Sequence, residues 1–194
     1  MNLPNSPELQ EVIRQCLSNN RKAQQQLFSQ CYSLAMNVTR RYAANLEEAR
    51  SLVNEGMLKV FQQLHTYNSD FSFGGWVRRI MVNTAIDHFR KVKAYEQRFQ
   101  DIDEQDDFSD KDKATVIDGM SAEELLVLVQ QLPPAYRVVF SLYAVEEYTH
   151  KEIAEELGIS EGTSKSNYAK ARAKLQQALA GSTITNQNYH GQRK

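Results

Sequence analysis

Long apolar runs are missing from this sequence. No stretch approaches the ~20 consecutive apolar residues that span a bilayer, and the N-terminus lacks the basic-then-apolar pattern of a secretory signal. The expectation is a cytoplasmic protein with no membrane insertion. Sustained alternation of β-branched and polar residues is missing too, which argues against a sheet-based fold. Cysteine is rare: Cys16 and Cys31 are the two in 194 residues. Both fall in helix-like segments, which favours buried thiols in a reducing compartment over a disulfide or a metal site. The histidines, His65, His88, His150 and His190, are scattered without metal-ligand spacing. There is no glycine-rich phosphate loop and no Ser/His/Asp arrangement. These gaps argue against an enzyme, and no cofactor or metal is expected.

Hydrophobic residues make up 41% of the chain, enough for a core. The length suits one ordinary domain or two small ones. A net charge of −1 hides an asymmetry. Residues 1–99 carry 13 Lys/Arg against 8 Asp/Glu, residues 100–124 carry 2 against 10, and residues 125–194 carry 8 against 6. Two mildly basic blocks therefore flank an acidic insert. Residues 99–120, with the acidic run from Asp101 to Asp112, show little apolar periodicity and read as a flexible linker. It is either a plain solvated tether or an acidic segment that mimics DNA or fills a basic channel on a partner.

Everything outside the linker reads as helix. The expected fold is all-α, with two small helical domains at 1–98 and 121–180 and a frayed polar tail at 181–194. Ser6-Pro7 opens a first helix as N-cap and first position, and a second runs over about 21–43. Asn45 with Glu48 caps a third. Leu46, Ala49, Val53, Met57, Val60, Phe61 and Leu64 form its apolar stripe. A fourth runs from about Phe73 to Arg98, with Trp76, Val77, Ile80, Met81, Thr84 and His88 on one face. Beyond the linker, Ser121–Glu124 is a capping box, and Pro133-Pro134 starts the helix that ends near Ala144. Thr149–Glu152 is a second box, Gly158 is a left-handed stop, and Ser160 caps a last helix over 161 to about 180.

The stretch from Thr149 to Leu175 carries the clearest chemistry. Helix, glycine turn and second helix form the layout of a helix-turn-helix, whose second helix enters the DNA major groove. In that second helix Ser164, Tyr168, Ala171, Leu175, Ala178 and Leu179 share the inner face. Thr163, Ser166, Lys170 and Lys174 lie opposite, flanked by Lys165 and Arg172. Small hydroxyls approach base edges, lysine reaches guanine acceptors, and the other cations hold phosphates.

Three stretches together carry a family resemblance. They are Leu52-Val-Asn-Glu-Gly-Met-Leu-Lys-Val-Phe61, Phe71-Ser-Phe-Gly-Gly-Trp-Val-Arg-Arg-Ile-Met-Val-Asn-Thr-Ala-Ile-Asp-His-Phe-Arg90, and Leu132-Pro-Pro-Ala-Tyr-Arg-Val-Val-Phe140 with the helix-turn-helix. Over about residues 10–180 the chain resembles an extracytoplasmic-function (ECF) sigma factor of bacterial RNA polymerase.

The resemblance implies a chain that binds core RNA polymerase at its clamp and flap and directs initiation at specific promoters. Leu52, Val53, Asn54, Glu55, Met57 and Leu58 would grip the clamp. Asn68, Phe71, Phe73, Trp76, Arg78, Arg79 and Asn83 would take the melted minus-ten strand, with loop 68–73 as the pocket for a flipped base. Thr163, Lys165, Ser166, Asn167, Lys170, Arg172 and Lys174 would read the minus-thirty-five duplex. An anti-sigma factor is a further implied partner. Against the family pattern, Ser51 replaces an Asp, Gly56 a larger residue, Ser164 a branched apolar residue, and Asn167 a basic one, while Ala169 has no reach. The alternative is a conventional helix-turn-helix regulator, which would need a dimerisation element that the chain does not display.

Overall fold

The computed structural model describes residues 5–97 and 121–189, with side chains described to 94 and to 179. The acidic linker, residues 99–120, lies outside those residues. The chain divides into two compact units, 1–95 and 96–194. The described residues contain eight α-helices, one short 3-10 turn and no strand.

The first unit holds α1 (Pro7–Leu17), α2 (Arg21–Thr39), α3 (Leu46–Gln63) and α4 (Phe73–Gln97). Each start has a chemical cause. Ser6 Oγ accepts from the Leu9 N–H at 3.2 Å, with Pro7 at the first position. Asn20 Oδ1 accepts from the N–H groups of Lys22 and Ala23. Asn45 Oδ1 accepts from Glu48 N–H at 2.9 Å, while the Glu48 carboxylate reaches one residue beyond the cap to Ala44 N–H at 2.6 Å. Helix α2 stops at Thr39 rather than 43, and turns carry the chain through Ala43.

The buried face of α3 is rotated from the expected stripe. Leu52 and Gly56 join it, Leu46 is exposed and Phe61 is half-buried. Gly56 faces α4. A Cβ added there would collide with the Met81 sulfur and lie 2.9 Å from Met81 Cε. The missing side chain is therefore explained inside the fold, by close packing of α3 on α4. Leu27, Phe73 and Met81 are fully buried in this core, and each such burial contributes roughly 1.5–3 kcal/mol. Both cysteines are buried free thiols. Burial raises the pKa of Cys16, and burial with the neighbouring Cys16 pushes Cys31 up to about 12. Both therefore stay protonated and unreactive.

The second unit holds α5 (Ala122–Gln130), α6 (Pro134–Ala144), α7 (His150–Leu157) and α8 (Glu161–Tyr189). Ser121 with Glu124 and Thr149 with Glu152 form reciprocal capping boxes. The boxes lower the pKa of both glutamates, chiefly through the backbone N–H each carboxylate accepts. Buried Arg137 donates from Nη2 to the Leu132 carbonyl at 2.9 Å and closes the corner before Pro133-Pro134. Gly158 takes φ 61° at the end of α7, where a side chain would be strained. Val129, Leu132, Phe140, Ala171 and Leu175 form the core, with Leu125, Leu128, Tyr136 and Tyr168 packed around it. Helix α8 corrects one expectation. It continues to Tyr189 instead of ending near 180, through a segment, Gly181 to Tyr189, that contains no proline.

Candidate nucleic-acid interface

In the first unit the loop between α3 and α4 is built as a rigid turn. Asn68 Oδ1 accepts from Asp70 N–H at 2.9 Å, and the Asn68 carbonyl accepts from Phe71 N–H at 3.2 Å. Ser72 then caps α4, its Oγ accepting from Gly75 N–H at 3.3 Å. Phe71 rides on the turn with 69% of its surface exposed. An exposed aromatic ring on a fixed turn is a platform on which a base can stack.

Phe73 corrects an expectation. It is fully buried and cannot present its ring to DNA. It is the first residue of α4, and its side chain turns inward to meet Tyr67 edge-on, with centroids 5.0 Å apart. Half-buried Trp76 lies 5.4 Å from Tyr67 and 5.6 Å from Phe73. The three rings form one aromatic cluster at the start of α4. Burial, against side-chain hydrogen bonding with Asn5 and Gln10, raises the Tyr67 pKa. Along α4, Arg79 and Asn83 are exposed one turn apart, and Arg78 is partly exposed.

The clamp-binding expectation on α3 is divided by burial. Leu52, Val53 and Met57 lie in the core and cannot meet a partner. Asn54 and Leu58 are exposed, Leu58 at 57%, and Glu55 is partly exposed. With Ser51 they share the outer face of the helix. Glu55 pairs with Lys91 at 3.3 Å and Lys59 at 3.7 Å, and Lys59 reaches Asp87 at 2.9 Å. The Glu55–Lys91 and Lys59–Asp87 pairs tie α3 to α4. Asp87 also meets Arg90 at 3.6 Å, so its role is intramolecular.

In the second unit α7, the Gly158 turn and α8 set the helix-turn-helix. Ser160 Oγ accepts from Thr163 N–H at 2.9 Å and shares a 2.8 Å hydrogen bond with its hydroxyl. The Thr163 hydroxyl is thus engaged in the cap. Ser164, Ala171 and Leu175 are buried, as the inner face requires. Lys165 and Lys174 are exposed, and Ser166, Asn167, Lys170 and Arg172 are partly exposed. Lys165 pairs with Glu161 at 2.8 Å, and the Arg172 guanidinium lies 5.9 Å from the Tyr168 ring centroid. The buried Ser164 is not a packing defect, because its hydroxyl lies 2.9 Å from His150 Nδ1. His150 stacks on Tyr143 at 4.3 Å and meets Tyr168 at 5.8 Å. Burial first, then Lys165, lowers the His150 pKa, against a smaller opposing effect of Glu161.

Sequence reasoning missed Tyr67, Asn5 and the His150–Ser164 pair. Tyr67 carried a signal, an aromatic next to the loop. Asn5 carried none. Among the described residues no group of three or more His, Cys, Asp or Glu could hold a metal, and no described helix is long and apolar enough to cross a membrane.

Two family models match the chain. Residues 27–95 match Sigma-70 region 2, and residues 122–175 match Sigma-70, region 4. RNA polymerase sigma factor SigZ of Bacillus subtilis (strain 168) is 30% identical over 149 residues, covering 72% of this chain and 80% of that protein. ECF RNA polymerase sigma factor SigM of Mycobacterium tuberculosis (strain ATCC 25618 / H37Rv) is 26% identical over 173 residues, covering 87% of this chain and 83% of that protein. The solved sigma factor RpoE in complex with the anti-sigma factor NepR, from Bartonella quintana, is 17% identical with a TM-score of 0.46, covering 83% of this chain and 98% of that one.

Proposed function

We propose a division of labour within a chain that belongs to the sigma-70 family, as an ECF RNA polymerase sigma factor. It is a regulatory subunit of transcription initiation that acts by binding. Residues 1–98 bind the clamp of core RNA polymerase and capture the melted minus-ten strand. Residues 121–180 bind the flap and read the minus-thirty-five duplex. Residues 99–120 tether them. The site of action is the cytoplasm, and an anti-sigma factor is the expected regulatory partner.

The clamp contact is assigned to the outer face of α3: Ser51, Asn54, Glu55 and Leu58. Leu58, more than half exposed on a helix whose other apolar side is packed, supports this. Strand capture is assigned to Phe71 and Trp76 with Asn68, Arg78, Arg79 and Asn83. Unstacking a base costs a few kcal/mol. One aromatic stack returns about 1–3 kcal/mol, and cations hold the backbone beside it. The minus-thirty-five contacts are assigned to Ser166, Asn167, Lys170, Arg172 and Lys174, with Lys165 at the phosphates once it leaves Glu161. Buried Phe73, Leu52, Val53 and Met57 support these faces from beneath.

One observation carries the reading: both sigma-70 regions match in order on one chain. A conventional regulator would account for residues 122–175 alone. Run-off transcription with core RNA polymerase tests it. The expected result is a promoter-dependent transcript only when the chain is added. Its absence on a library of genomic fragments refutes the function.

A further inference from the structure

The 67–73 loop is held by a side chain that lies outside the matched region 2 (27–95). Asn5 Nδ2 donates to the carbonyls of Ser69 at 3.1 Å and Phe71 at 2.8 Å. Its Oδ1 accepts from the Phe73 N–H at 3.1 Å. The Tyr67 hydroxyl stands 3.1 Å from the same Oδ1 and 2.7 Å from the Phe71 carbonyl. It has one proton for both, and the shorter contact has the stronger claim. Both amide hydrogens and the amide oxygen of Asn5 are therefore spent on one short segment, across sequence separations of 62 to 68 residues.

Each bond has a different effect. The bond to Phe73 N–H satisfies an orphan donor in the first turn of α4, as an N-cap would, but from a distant part of the chain. The two bonds from Nδ2 fix the carbonyls of Ser69 and Phe71, and with them the backbone that aims the exposed Phe71 ring. Ser6, the next residue, caps α1, so the clamp is anchored to a helix packed in the first unit. A turn loses its aim when such anchors go, even if the helices on either side stay folded. Base reading is sensitive to aim, because hydrogen bonds to a base edge tolerate little displacement.

We propose that Asn5 is a positioning residue for minus-ten base recognition: it fixes the 67–73 loop so that Phe71 and Asn68 meet a flipped base in one geometry. The proposal rests on the assignment of that loop to strand capture. It makes the segment ahead of α1 a determinant of promoter selectivity, although Asn5 touches no DNA itself.

The test uses the full chain assembled with core RNA polymerase. The probe is a single-stranded oligonucleotide library with ten randomised positions, enriched on the holoenzyme and sequenced. Wild type should favour one base at one position. In Asn5→Ala that preference should fall roughly tenfold, the worth of one well-placed hydrogen bond. Asn5→Asp can still accept from Phe73 N–H but sets a carboxylate against two carbonyls, and it should lose the preference as well. Core affinity and the thermal unfolding midpoint should stay near wild type in both. Unchanged base preference in both variants overturns the role of Asn5 and leaves the loop assignment standing. A wild-type holoenzyme with no base preference overturns the loop assignment, and the role of Asn5 with it. Loss of core binding or of folding in both variants makes Asn5 merely structural and also overturns the proposal.

Discussion

Gly56→Ala separates an internal role for this glycine from a role at a partner surface. Two opposing effects act on the substitution. Replacing a helix-interior glycine by alanine gains about 1 kcal/mol of helix propensity. The new methyl group lands on the Met81 side chain, 2.9 Å from Cε and closer still to the sulfur. Met81 is fully buried, so its flexible end has little room to move. Overpacking of this kind costs roughly 1–3 kcal/mol. The net expectation is a destabilisation of about 0–2 kcal/mol, or a fall of up to ~15 °C in the unfolding midpoint of the first unit. Met81→Ala removes the obstacle and costs about 2–5 kcal/mol by itself. In that background Gly56→Ala should change sign and stabilise by about 1 kcal/mol. The cycle of four proteins should therefore show a coupling of roughly 1–3 kcal/mol. Thermal unfolding of the four chains measures it, and core-polymerase affinity is measured in parallel. Equal effects of Gly56→Ala in both backgrounds would refute the packing argument. Weakened core binding at unchanged stability would move Gly56 to the partner surface.

Three further outcomes follow from local geometry. Because the folded pKa of His150 is depressed, the unfolded chain takes up its proton first as pH drops below about 6.5. Stability should be independent of this group above that pH and decline below it, and wild type minus His150→Gln in urea melts at pH 7.5 and 5.5 should isolate the decline. Glu147 holds φ 61° where the chain leaves α6; a left-handed side-chain residue costs roughly 1–2 kcal/mol, glycine gives back ~0.5–1 in chain entropy, and Glu147→Gly should raise stability by about 0.5–1 kcal/mol in denaturant titrations. Lys170→Ala should leave core binding unchanged, weaken minus-thirty-five-dependent transcription, and reduce the salt slope of duplex binding by about one; lost core binding in that variant would contradict the assignment of Lys170 to the DNA-facing side of α8.

Much of the helical order was legible because it depends on neighbours in sequence. Ser6, Asn45, Ser121, Thr149 and Ser160 each cap a helix within three residues of themselves. Gly158 stops α7 through its own backbone angle. Such signals are local, so spacing alone exposes them. Burial was less legible. A stripe at helical spacing gives a face but not its rotation, and so the stripe includes Leu46 and leaves out Leu52. Phe73 shows the same limit at the candidate site. Its composition and position suit a DNA-facing aromatic, yet the first turn of α4 points it at Tyr67.

The sequence by itself determined an all-α chain, two basic helical blocks around an acidic insert, and a helix-turn-helix with its caps and stop. Each of these follows from periodicity, capping chemistry or charge along a few adjacent residues. Only the tertiary structure decided which candidate residues can meet a partner. It set Leu58 and Phe71 outside and Leu52, Val53, Met57 and Phe73 inside. It also explained Gly56 by Met81, paired Ser164 with His150, and brought Asn5 onto a loop more than 60 residues away. Those contacts join residues that share no sequence pattern, because they are fixed by how helices pack and not by any property of a short segment.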